Sequence, residues 1–230
     1  NNVKSIEPAK NALSINKSYD WDLIFKAISP LILISIGAGL TIPFVNLFFN
    51  SVFNFSSSDF SLLGSVTAIL VFFSSLMVPT LKQKYGYWMT IVFVQGLSIG
   101  CLITMAMTEL FSGSYFALYF AIGAFILRQP LMHMAHPSSN ELMMNYVGKR
   151  NQELISALSS SLWSASWFIS AKIFEWLRIL QFRYYEIFLM TAFLYIIGVI
   201  LYGILIKQFE NTQKEHKDKF ISISEEIKVD

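Results

Sequence analysis

Across its 230 residues the chain is 54% hydrophobic and only 14% charged, with a mean hydropathy of +0.53. That balance excludes an ordinary soluble domain, which needs more polar surface to face water. The formal net charge of +2 comes from scattered basic residues, and a nucleic-acid surface needs them concentrated in one stripe, so a nucleic-acid partner is excluded as well. The partner that the composition implies first is the lipid bilayer.

In chain order, residues 1–20 are polar and contain Pro8, which fits neither a signal peptide nor a span; they read as a cytosolic linker. A start without Met, leading through a polar stretch into a membrane domain, is expected of a piece of something longer. Apolar runs of about 20 residues, the length that crosses a bilayer core, then recur between short polar breaks. Six spans are predicted, at about 23–49, 60–81, 88–109, 114–135, 152–175 and 184–207. None alternates with period 2 as a barrel strand would, so the fold class is an all-α bundle of six transmembrane helices over residues 21–207. The tail, 208–230, mixes both charge signs and reads as solvated and partly disordered. Cys101 lies inside an apolar run as a packing residue, and one cysteine builds neither a disulfide nor a thiolate metal site.

If the helices alternate, Lys4, Lys10, Lys17, Lys26, Lys82, Lys84, Lys149, Arg150 and Lys207 fall on one side, together with the basic residues of the tail. The positive-inside rule makes that side cytosolic and places both termini there. The opposite side holds Asp59, Glu109 and Glu175 but also Lys172, Arg178 and Arg183, so the bias is incomplete.

Two segments resemble a known family. Pro79 to Trp88, PTLKQKYGYW, is similar to the loop motif Gly-x-Leu-x-Asp-Arg-x-Gly-Arg-Arg of the major facilitator superfamily, in its degenerate form between helices 8 and 9. Leu81, Lys84 and Gly86 match, whereas Pro79 replaces the first Gly, Gln83 the Asp, and Tyr87 and Trp88 the basic pair. Arg128 to Leu154, in which a helix ends near a Pro and a polar loop carries Lys149-Arg150 into the next span, resembles the cytosolic connection between helices 10 and 11. The resemblance covers about residues 21–207. It implies a C-terminal six-helix half of a permease in a bacterial inner (plasma) membrane, with residues 1–20 as the central loop and an N-terminal six-helix half missing. It also implies a secondary active transporter rather than an enzyme, moving a small solute by alternating access. Proton coupling is left open, and no cofactor is implied. A six-helix intramembrane enzyme and a non-transporting membrane scaffold stand as alternatives. Against the first, Ser112-Gly113-Ser114 lies at a loop edge, where a rhomboid-like nucleophile would not.

The resemblance implies a substrate cavity lined by the first, second, fourth and fifth helices of each half. In the first helix Gly39, Pro43, Asn46 and Asn50 share a face, and Gly37, Gly39 and Pro43 predict a bend. Asn46 and Asn50 are candidate substrate contacts. In the third helix, Gly96 and Gly100 form a small-xxx-small face expected to pack against a neighbour. The fourth helix carries the densest polar group, Arg128, Gln129 and His133. Gln129 and His133 share one face, while Arg128 lies about 100° away on a stripe with Ala121, Ala124 and Ala135. An arginine within a span is a functional-site candidate. His133 and His136 have metal-ligand spacing but no third ligand, so no metal site is assigned. On the fifth helix Trp163 and Trp167 offer flat faces on which a substrate could stack, amid serines suited to close helix packing.

Overall fold

The structure is a computed structural model that describes residues 19–226; the expected linker, residues 1–20, falls almost wholly outside them. The described residues form helices joined by short turns, with no strand among them. The chain runs through α1 (Trp21–Thr41), a 3₁₀ turn (Ile42–Phe44), α2 (Val45–Phe53), α3 (Ser57–Tyr87), a π-helical turn (Trp88–Phe93) and α4 (Val94–Met107). After a second 3₁₀ turn (Thr108–Phe111) come α5 (Tyr115–Val147), α6 (Gln152–Ile179) and α7 (Tyr184–Glu226). Helix is what apolar sequence of this length must form away from water, because each backbone N–H and C=O then finds its partner within the same segment.

Four stretches are long and apolar enough to cross a membrane: Trp21–Phe53, Ser57–Phe111, Tyr115–Val147 and Tyr184–Lys219. Six separate spans were expected, and two physical features account for the difference. The second and third expected spans run on as one 55-residue stretch, broken only at Gly86, whose φ of 71° and ψ of −168° suit glycine alone. The fifth expected span, α6, is helical but carries Ser156, Ser159, Ser160, Ser161, Ser164, Ser166 and Ser170, which lower its apolarity.

The ends of the helices also differ from expectation. The helix expected to stop near residue 135 continues as α5 to Val147, through both Pro130 and Pro137. Each proline forfeits one backbone bond. Burial of Ser138, Ser139, Leu142, Met143 and Val147 beyond them carries the helix on, and the connection to α6 shrinks to a turn around Gly148, at φ 72°. Likewise α7 passes residue 207 and stays helical to Glu226. Its later turns carry Glu210 and Lys214, and Glu215 and Lys219, spaced i, i+4, so the segment expected to be partly disordered continues as helix to Glu226.

Within the bundle, α1 lies against α6 and α7, α5 against α3 and α4, and α4 also against α7. Lipid supplies no hydrophobic drive between helices, so small residues and polar contacts decide where they approach closely. A Cβ on Gly39 would stand 2.6 Å from the Ser170 Cβ, one on Gly37 2.8 Å from the Tyr195 ring, and one on Gly198 2.8 Å from Ile34. Beside them the Ser35 and Ser166 hydroxyls share a 2.9 Å hydrogen bond, and the Ser170 hydroxyl donates to the Ile36 carbonyl at 2.8 Å. Gly37 and Gly39 are therefore contact points rather than flexible joints. The bend in the first helix sits further on, in the 3₁₀ turn that holds Pro43. At the α2 end an aromatic cluster closes the bundle: Phe48 reaches Phe188 (centroids 5.2 Å apart), Phe49 reaches Phe125 (5.8 Å) and Phe60 reaches Phe125 (5.5 Å). Pairs of this kind contribute about 0.5–1.5 kcal/mol each beyond area burial.

The expected packing face of Gly96 and Gly100 is absent, since a Cβ on either would meet nothing within 4 Å. Both glycines lie on an exposed side of α4, because its buried side is set by Gln95, Ser98, Ile99 and Leu102. The two pairs of glycines should consequently respond in opposite ways to added bulk. Gly39→Val forces α1 away from α6 and should destabilise the bundle by about 1–3 kcal/mol, whereas Gly96→Ala and Gly100→Ala should be neutral or slightly stabilising. Thermal unfolding in detergent reads both effects, and a Gly39→Val chain that melts with the wild type would refute the close contact.

Candidate functional site

Arg128, Gln129 and His133 lie near the middle of the 33 residues of α5. Arg128 is fully buried, at 0% exposure, and its stripe partners Ala121, Ala124 and Ala135 are buried with it. The small side chains make room for a guanidinium between α4 and α7. Its Nη1 donates to the Gln129 carbonyl oxygen at 3.2 Å and its Nη2 to the Tyr195 hydroxyl at 3.4 Å. Its Nε has no partner, and among the described residues no carboxylate pairs with it. Ser98 on α4 reaches the Arg128 carbonyl at 3.4 Å, fixing the backbone of the same turn.

Gln129 and His133 separate two cavities. One, of about 210 Å³, lies among α1, α4, α5, α6 and α7 and is lined by Gln129, His133, His136, Gln95, Trp163 and Tyr202 together with aliphatic residues of α1. The other, of about 440 Å³, lies between α3, α5 and the α1–α2 bend, where Arg128, Gln129 and His133 face Phe60, Thr67 and Phe125. His133 and His136 are themselves exposed, and Pro137 denies the His133 carbonyl its helical N–H donor, so this side of α5 presents unsatisfied polar groups at mid-helix. An exposed polar surface at that depth is costly against lipid and suits water, solute or another protein surface.

The structure thus brings Arg128, Gln129, His133 and Trp163 together and leaves the other candidates apart. The Trp163 ring meets the His136 ring edge-on, with centroids 5.7 Å apart, while Trp167 stands exposed behind it at 6.3 Å. Asn46 is half-buried with an unpartnered side-chain oxygen, and it lines neither cavity. Asn50 is exposed, and its amide donates to the Phe55 carbonyl at 3.2 Å, tying the turn after α2. Gln95 was not singled out from the sequence. It is buried, its side-chain oxygen has no partner, and it lines the smaller cavity. Its sequence signal was a lone amide inside an apolar run, which needs a partner when buried.

Of the loop-motif residues, Pro79 and Lys84 are exposed and Leu81 is half-buried. Gly86 makes the backbone break between α3 and the π-helical turn. The polar link runs instead through Lys82, whose ammonium pairs with Glu141 on α5. Glu141 also accepts from the Tyr87 hydroxyl at 3.3 Å, and Tyr87 accepts from the Asn145 amide at 3.3 Å. A charged tie between this loop and α5 therefore exists without the motif's own Asp.

No family model matches the chain, and no curated protein matches it. A solved structure that is similar is that of a bacterial homologue of the iron transporter ferroportin in its outward-facing state, with 16% sequence identity and a TM-score of 0.63. The match covers 90% of this chain and 49% of that one, so the chain spans about half the length of the structure it resembles. At that identity the likeness shows the fold alone, an all-helical bundle.

Proposed function

We propose that this chain is one six-pass bundle of a secondary transporter in a bacterial inner membrane, working against a second six-helix bundle to move a small solute by alternating access. The observation that carries the reading is the exposed polar turn of α5, with Arg128 enclosed beneath it and a cavity on either side of Gln129 and His133. Such a surface inside a membrane needs water, cargo or a partner bundle over it. Transporter sites of this kind lie at mid-membrane between two rocking units. The match to about half of a transporter homologue supports the same reading. That homologue is one of an iron transporter. Among the described residues here no three His, Cys, Asp or Glu side chains converge, so nothing in this bundle extends that cargo to it.

Six passes follow if the 55-residue stretch crosses twice. As one straight helix it would reach roughly 80 Å, against a bilayer core of about 30 Å, and Gly86 supplies the break. The serine-rich α6 then crosses beside α1, and the basic loops fall together on the cytosolic side with both termini. Cysteine labelling in a Cys101→Ala background tests this arrangement. A Cys at Gln213 should resist an impermeant reagent applied to intact cells and a Cys at Ser57 should react, and the reverse pattern would invert the topology.

Two further outcomes are expected. The purified, monomeric chain in liposomes should show no saturable solute uptake, because alternating access needs a second bundle; robust uptake would make it a complete carrier instead. In the protein that joins this chain to its partner bundle, Arg128→Ala and Arg128→Lys should both reduce transport at normal expression, since an ammonium does not reproduce the planar guanidinium contacts. Wild-type transport by both variants would remove Arg128 from the mechanism.

A further inference from the structure

Arg128 presents five N–H groups, of which the side chains of Gln129 and Tyr195 engage two, at 3.2 and 3.4 Å. The Nε, enclosed within a residue of 0% exposure, has no acceptor. Among the described residues no carboxylate compensates the guanidinium. The Gln129 carbonyl oxygen is occupied by Arg128, which leaves its amide N–H groups to act on the cavity side. The Thr67 hydroxyl gives its hydrogen to the Gly64 carbonyl at 2.8 Å and so offers the cavity only an acceptor oxygen, His133 adds a neutral ring, and no Asp or Glu lines the 440 Å³ cavity. The remaining walls are apolar and aromatic, formed by Ile42, Val45, Phe60, Val71 and Phe125. An uncompensated buried cation and an amide donor beside an acid-free, aromatic-walled cavity are complementary to an anion with an apolar body.

We propose that the cavity between α3, α5 and the α1–α2 bend binds a small organic carboxylate, its charged group on Arg128 and Gln129 and its apolar body against Phe60 and Phe125. This assigns a cargo class to the transporter reading and rests on that reading only for calling the ligand cargo. Arg128 is enclosed, so its side chain must turn toward the cavity for a carboxylate to take the free N–H edge of the guanidinium, where two oxygens match the planar fork. The aromatic side chains then exclude water and strengthen the ion pair. An amide of the same shape has no charge to offer and an amine has the wrong sign, so neither should compete.

The glycine in the cavity wall gives a way to fill the site without touching the arginine. Gly64 sits within α3, and a Cβ built on it meets nothing within 4 Å. Gly64→Leu therefore extends into open space at a position where leucine also favours helix. The probe is 4-fluorobenzoate, followed by fluorine NMR line width with the 230-residue chain in lipid nanodiscs and helicity checked by circular dichroism.

The wild type should bind the probe saturably, 4-fluorobenzamide at least tenfold more weakly, and chloride and acetate should displace the probe poorly. Arg128→Gln and Gly64→Leu should each weaken binding at least tenfold. If Arg128→Gln does not fold, Gly64→Leu and the amide comparison decide the matter. No saturable binding, equal binding of the amide, or undiminished binding by folded Arg128→Gln or Gly64→Leu would overturn the site. Displacement by chloride or acetate as effective as by unlabelled benzoate would overturn the assignment of an apolar body. Binding is measured without transport, so a protein that binds the probe but carries nothing would lose the transporter reading and keep this site.

Discussion

The bilayer's refusal to hydrate a backbone is the constraint on which the rest of this structure depends. Every N–H and C=O in the apolar core must be bonded within its own helix, so the places where the helical pattern fails are few and each has a local cause. Pro43 sits in the 3₁₀ turn between α1 and α2, Gly86 turns the chain out of α3 with a backbone conformation that only glycine tolerates, and Gly148 separates α5 from α6. The prolines inside helices, Pro30, Pro79, Pro130 and Pro137, leave carbonyls without their usual donor. The last of these belongs to His133, at the edge of both cavities.

Given helices everywhere, association depends on how closely backbones can approach. Gly37, Gly39 and Gly198 admit the rings and hydroxyls of neighbouring helices to distances that any side chain would forbid, and Ser35, Ser166 and Ser170 add hydrogen bonds at the same seam. This fixes α1 against α6 and α7 on one side of the smaller cavity. The Phe48, Phe49 and Phe125 cluster holds the α2 end, so the two cavities lie between packed elements rather than in loops. A site built on helices holds its geometry better than one carried by loops.

Against that apolar background the Arg128 turn stands out energetically. Placing an arginine at mid-span costs about 2.5–3.5 kcal/mol on insertion scales, and this one is enclosed with a hydroxyl and an amide for company instead of a carboxylate. Small residues at Ala121, Ala124 and Ala135 create the space it occupies, and the packing of α4 and α7 encloses it. Among the described residues the arrangement retains a positive charge without a carboxylate beside it, which is the feature the proposed anion site uses.

The sequence by itself determined the solvent, the helical class and the polar turn. Runs of apolar residues too long for a soluble core can be stabilised only as helices in lipid, and Arg128, Gln129 and His133 are conspicuous there because polar groups are expensive. Gly86 stood out only as a match to the loop motif, and its role as the backbone break came from the structure. What the sequence could not determine was which glycines pack, where α5 and α7 end, and which polar residues converge. Gly39 and Gly96 look alike along the chain, yet one meets Ser170 and the other meets nothing. Asn50 was singled out and Gln95 was not, yet Asn50 ties a turn and Gln95 lines a cavity. Helical periodicity fixes a residue's direction only relative to its own axis. The neighbour it meets is decided by the packing of helices far apart in the sequence, and only the tertiary structure supplies that.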